Sequence, residues 1–162
     1  FRNVPGKDYL CAAGAEVCRK PPEGGRRRQL INQKKEETML EKGLSASSET
    51  TVCEQNTAAV MGSGDLPVFA TPAMVALMEH AAMKAVAAHL PEGSTTVGAE
   101  MNVSHINPSA LGTVVTATAV LTEAEGRRLV FNVGARDAEG LIGEGVHVRY
   151  VVDRERFMGK LR

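Results

Sequence analysis

The chain has no tryptophan, three cysteines among 162 residues, and no net charge. Cys11, Cys18 and Cys53 are odd in number and form no CxxC pair, which argues against a disulfide framework and fits a reduced, cytoplasmic setting. No apolar span of 18 residues is present, and the N-terminus lacks the apolar stretch of a signal peptide. Neither a membrane nor a nucleic acid is therefore expected as a partner. The histidines and cysteines lack ligand spacing, so no metal site is expected. Gly62-Ser63-Gly64 is too short for a phosphate loop. What is present is enough for one domain: the chain is 43% hydrophobic, and its length suffices for a proper core.

The charge is unevenly placed. Residues 1–38 hold nine Lys/Arg against five Asp/Glu, net +4, and residues 39–162 hold ten against fourteen, net −4. The first segment carries PPEGGRRR and no hydrophobic period, so it is expected to be disordered. Met39 is the first methionine, and Lys34-Lys35-Glu36-Glu37 before it is compatible with a purine-rich ribosome-binding run. The reading adopted is a disordered or spurious N-terminal extension over 1–38 and a folded domain over 39–162. A basic tail that meets nucleic acid or anionic lipid through Arg26-Arg27-Arg28 is the rival.

The domain is organised around FATPAMVALMEHAAMKAVAAHL, residues 69–90. Thr71-Pro72 reads as a helix start with Thr71 as N-cap, and Pro91 with Gly93 stops the run. Ala, Met and Leu give high helix propensity. The apolar positions go nearly all the way round, leaving His80 and Lys84 as a narrow polar strip. Glu79 stands among Val75, Met83, Val86 and Leu90, where a carboxylate is costly unless paired. It is either a structural ion that reaches a rim or a basic partner, or a working acid.

Around the helix the period is two. A first strand is predicted within Leu40–Gln55, then a short helical turn and a Gly-rich loop over Asn56–Pro67. Thr96–Asn107 places Val97, Ala99, Met101, Val103 and His105 on one face and Gly98 on the other. Three further strands follow over Thr113–Glu123, Arg128–Arg136 and Leu141–Val152. Short loops make the last four strands an expected antiparallel meander. His147 and Arg149 on the last strand read as rim residues. The expected fold is α+β, with a five-stranded antiparallel sheet wrapped around one helix. Five strands cover only part of so apolar a helix, so a homodimer is expected, with Glu79 near the interface.

Thr71 heading the helix, Glu79 eight positions on and His105 twenty-six after that resemble the hotdog-fold thioesterases, and among them the fluoroacetyl-CoA thioesterase-like group. The supporting text is VFATPAMVALMEHAAMKAV, VGAEMNVSHINPSALGTVVTATAVL, EGRRLVFNVGARD and IGEGVHVRYVV, spanning roughly Leu44 to Phe157. The resemblance implies a hotdog fold and hydrolysis of an acyl-CoA thioester at a dimer interface. It implies Thr71, Glu79 and His105 as the catalytic set, Gly98 and Phe69 as substrate-binding residues, and no cofactor beyond the coenzyme A of the substrate. Fluoroacetate-specific members carry aromatic lid residues on the loop before the helix; here GSGDLPVF has only Phe69.

The chemistry is consistent with that set. A thioester needs a water or carboxylate nucleophile, oxyanion stabilisation and little help to its leaving group. Glu79 can act as general base or attack directly. His105 can orient or donate a proton near its natural pKa. Thr71 can bond the carbonyl oxygen or hold His105, and the free N–H groups of the helix start, with Gly98 allowing close approach, can serve as oxyanion donors. Taken singly, Thr71 is an N-cap, His105 a core histidine and Gly98 the mark of a bulge. Eight helical residues rise about 12 Å, so Thr71 and Glu79 of one helix do not touch, and a cross-subunit contribution is expected. A non-catalytic acyl-CoA-binding module and a hotdog hydratase are the alternatives; the latter wants an Asp and a His a few residues apart on the helix, which is missing. Arg127, Arg128, Arg154 and Arg156 read as solvated charges rather than coenzyme A contacts.

Overall fold

The structure, a computed structural model, describes residues 40–161. The extension expected over 1–38, with Met39 as start, lies outside the described residues, as do Cys11 and Cys18. Five strands and one long helix make up the core of the domain: β1 (Ser45–Thr51), a short helix α1 (Ala58–Met61), the long helix α2 (Thr71–Ala87), β2 (Ser94–His105), β3 (Val114–Glu125), β4 (Arg128–Asp137), β5 (Gly140–Asp153) and a terminal turn of helix α3 (Arg154–Met158).

Helix α2 forms where its Ala, Met and Leu content places it, and it stops at Ala88, ahead of Pro91. Its start differs from the expectation. Ala70 is the N-cap, Thr71 is the first helical residue, and no side chain caps the end. The reason is that the Thr71 hydroxyl is engaged elsewhere, while the chain entering the helix is fixed by backbone bonds: Phe69 N–H donates to Ser109 O at 2.9 Å and Ala70 N–H to Asn56 O at 3.0 Å. Met74, Met78, Ala81, Ala82, Ala85 and Val86 are buried against the sheet. The alanines bring the helix axis close to β1 and β3, where Val115, Ala117, Ala119 and Leu121 face it. The polar strip is tied to the sheet edge: His80 Nδ1 lies 3.0 Å from Ser48 Oγ, and Lys84 Nζ donates to Ser47 O at 2.7 Å.

The sheet is antiparallel with strand order β1-β3-β4-β5-β2. Only β3, β4 and β5 form a meander, so the expected four-strand meander is corrected. β2 crosses to the far edge and pairs with β5, and β1 takes the edge beside β3. The segment after β2 cannot fold back as a hairpin because it is held at both ends. Ile106 and Asn107 donate their N–H groups to Ile142 O on β5, while Gly112 N–H donates to Val52 O beyond β1. Between these anchors Ser109 Oγ donates to Asp137 Oδ2 at 2.5 Å. The crossing chain thus passes by the N-terminal end of α2 and lays Ser109 against Phe69.

One irregularity changes which side chains face the helix. The β2–β5 register shifts between Gly98 and Glu100, so Ala99 is an extra residue. After it Met101 and Val103 pack against the core, as the alternation predicts. Before it the phase is reversed, and Thr96 and Gly98 face inward. Gly98 therefore shares the helix side with His105 instead of opposing it.

Candidate active site

The predicted residues fall into two groups at different points along α2. At its N-terminus, Thr71 Oγ1 and His105 Nδ1 are 2.9 Å apart. The first turn of α2 supplies the threonine and the last residue of β2 supplies the ring. His105 Nε2 is buried and has no hydrogen-bond partner. Burial pushes the ring's pKa below its ordinary 6.5, partly offset by the Asn107 backbone, so the imidazole is neutral at neutral pH. An open cleft of about 280 Å³ adjoins this pair, lined by Ala58, Ser63, Val68, Phe69, Ile106 and Pro108 among others. Phe69 belongs to this wall, with most of its ring in the core. The uncapped helix start leaves N–H groups without side-chain partners beside the hydroxyl, a partial positive charge where an oxyanion would form.

Two turns further along α2, Glu79 faces a different set. Its side chain is 41% exposed, so the expected deep apolar burial is not what the single chain shows; Oε1 lies 3.6 Å from His147 Nε2 and 3.9 Å from Arg149 Nη1. Gly98 completes the wall, since a Cβ there would stand 2.5 Å from Glu79 Oε1. Thr71 and Glu79 are separated along the helix by about 12 Å, so within one chain they do not meet.

His147 and Arg149 are not rim residues. They are 0% and 6% exposed and both point to the helix side of the sheet. Sequence reading missed them because the alternate set on β5, Ile142, Val146, Val148 and Tyr150, is the more apolar and reads as the core face. The signal that was available is steric: Gly143 and Gly145 share a face with His147 and Arg149, and a Cβ at Gly143 would stand 2.5 Å from Met74 Sδ. A strand face with two glycines is one that a helix approaches closely.

A five-stranded antiparallel sheet curled around one long helix is the hotdog arrangement, and in this chain a Thr–His pair lies over a cleft at the helix start. The comparisons with known proteins agree. The profile of the fluoroacetyl-CoA-specific thioesterase family (FlK) matches residues 52–155. The fluoroacetyl-CoA thioesterase of Streptantibioticus cattleyicolor is 43% identical over 95 residues, which is 59% of this chain and 68% of that one. The solved structure of the fluoroacetyl-CoA thioesterase FlK superposes with a TM-score of 0.70 at 35% identity, covering 75% of this chain and 94% of that one. A Thermus thermophilus protein described as a thioesterase superfamily member superposes with a TM-score of 0.68 at 29% identity, covering 74% and 88%. This chain belongs to the fluoroacetyl-CoA-specific thioesterase family.

Among the described residues no group of three His, Cys, Asp or Glu side chains is placed to hold a metal ion. No helix among them is long and apolar enough to cross a membrane.

Proposed function

We propose that this protein hydrolyses a small acyl-CoA thioester to the free acid and coenzyme A, at a site made of Thr71, His105 and Glu79, without a further cofactor. The single observation that carries the site is the 2.9 Å Thr71–His105 contact, with His105 Nε2 buried and unpartnered beside a cleft. An unmatched buried nitrogen costs stability unless a substrate group or a partner atom meets it.

The three residues come together in a homodimer. With two α2 helices side by side and antiparallel about a two-fold axis, Glu79 and Gly98 of one copy approach Thr71 and His105 of the other. The half-buried Val75, Glu79 and Met83 on α2 form the face such a pairing would cover. In that site Glu79 activates water toward the thioester carbonyl or attacks it directly, and the helix start with Thr71 receives the negative charge on oxygen. The thiolate then leaves and takes up a proton by way of His105; on the direct route water next cleaves the acyl–Glu79 anhydride, releasing the free acid and restoring the carboxylate. The setting is the cytoplasm, where acyl-CoA is made and the free Cys53 thiol stays reduced.

The test is release of free thiol from a panel of short acyl-CoAs by the full chain. Wild type turns over at least one member, and E79Q, H105A and T71V each lose rate. Equal release by wild type and E79Q removes Glu79 from the site. Mixing E79Q and H105A proteins under exchange tests the shared site: a heterodimer keeps one intact Glu–His pair only if the pair spans subunits, restoring about a quarter of wild-type activity.

A further inference from the structure

The Thr71–His105 contact joins two elements that meet at the start of α2, and both halves of it depend on the chain that crosses from β2 to β3. His105 is the last residue of β2 and leads straight into that crossing. Thr71 hangs from the same stretch. Phe69 N–H donates to Ser109 O at 2.9 Å, Val68 bridges to Ala110, and Thr71 follows two residues after Phe69. The hydroxyl and the imidazole are therefore both placed by where residues 105–110 lie.

What pins that stretch is a buried polar pair. Ser109 is 2% exposed, and its hydroxyl donates to Asp137 Oδ2 at 2.5 Å, at the turn between β4 and β5. The carboxylate is fixed in its turn, because Oδ1 accepts the Glu139 N–H at 2.9 Å. The Ser109 hydroxyl, more than any other group, holds the Asp137 carboxyl below its ordinary 3.8, so the acceptor is ionised and the bond is charge-assisted and directional. Asn107 Nδ2 adds a second tie, donating to Leu141 O at 2.8 Å just past the same turn. An apolar pair of equal volume could serve stability as well as the hydroxyl and carboxylate do. It would not hold the crossing chain in one position along the sheet edge.

We propose that Ser109 and Asp137 form a latch that positions the Thr71–His105 pair, so that a hydrogen bond made by neither member of the pair sets their separation and hence the rate. The proposal rests on the reading of Thr71 and His105 as working groups of the site. Ser109 and Asp137 are positioning residues: neither belongs to the wall of the cleft, and both act through the contact they hold.

The experiment measures kcat and KM, per folded molecule, for T71V, S109A, D137A and the double variants S109A/T71V and D137A/T71V, on an acyl-CoA that wild type hydrolyses. S109A and D137A are each expected to lose about three- to fivefold in kcat with KM within about threefold. Neither should lose more than T71V does, since the contact at stake is the same single hydrogen bond. T71V has already given up that contact, so each double variant is expected to match T71V alone. A latch that served only stability would leave kcat per folded molecule unchanged, and one acting by another route would multiply the two losses. Should S109A fail to fold, D137A and D137A/T71V decide alone. Wild-type kcat in the latch variants, losses confined to KM, or multiplied losses in the doubles overturn the latch while T71V remains impaired. Wild-type kcat in T71V overturns the reading beneath it, and the two failures are thus told apart.

Discussion

Replacing Gly98 by alanine should separate stability from activity. The added Cβ would stand 2.5 Å from Glu79 Oε1, 3.3 Å from His147 Cε1 and 3.7 Å from Arg149 Nη1. Ordinary contact begins at 3.4 Å, so the ring and the guanidinium need almost no adjustment and the carboxylate must withdraw by about 1 Å. It is free to do so, because it is the far end of a flexible, partly exposed side chain. Gly98 is outside the left-handed region, so alanine is compatible with its backbone and restricts the unfolded chain, a gain of up to about 0.4–1 kcal/mol. A displacement of about 1 Å at a reacting group lowers kcat by about 100-fold, equivalent to ~2.7 kcal/mol of barrier. The assay is thiol release at saturating acyl-CoA beside a thermal melt. The expected result is a melting temperature equal to or slightly above wild type with kcat reduced 100-fold. A variant with kcat within twofold of wild type, or one whose loss of rate tracks a loss of stability, refutes the reasoning.

Four further outcomes follow from the structure. T71V deletes the hydroxyl bonded to His105 and should lower kcat about fivefold, the equivalent of ~1 kcal/mol for one hydrogen bond, whereas T71S should retain most activity. Because burial lowers the His105 pKa, the ring stays neutral until the pH falls below 6.5, so kcat/KM should lose its His105-dependent limb only on the acid side of that value; a His105-dependent limb above 6.5 would contradict the structure. The Ser109 hydroxyl, and after it the backbone around the turn, lowers the Asp137 carboxyl below 3.8; its stabilisation is complete above that pH and is lost as pH falls through the folded value, so S109A should unfold at a higher pH than wild type in an acid titration, by a margin reduced because the carboxylate is solvated. F131A empties a fully buried position under His147 and should cost about 3–5 kcal/mol in a denaturant titration.

The sequence by itself determined those features that depend on neighbours along the chain. Helix α2 could be read because Pro72, the alanines and Pro91 act within a turn or two of their own positions. Each strand could be read from its alternation and the turn residues around it. Glu79 and His105 stood out because polar groups interrupt otherwise apolar patterns, whereas Thr71 read as an N-cap and joined them through the resemblance to the thioesterases. Tertiary structure decided what depends on distant pairing. That β2 leaves β3 and joins β5 is set by the anchors of residues 106–113 on Ile142, Val52 and Phe69, none of them close in sequence. One extra residue at Ala99 reverses the phase of β2, which no period-two reading can carry past a bulge. The face of β5 that turns to the helix was decided by close approach at Gly143, where Met74 leaves no room for a Cβ, and not by hydrophobicity. That choice alone took His147 and Arg149 from the surface, where alternation put them, to the side of Glu79.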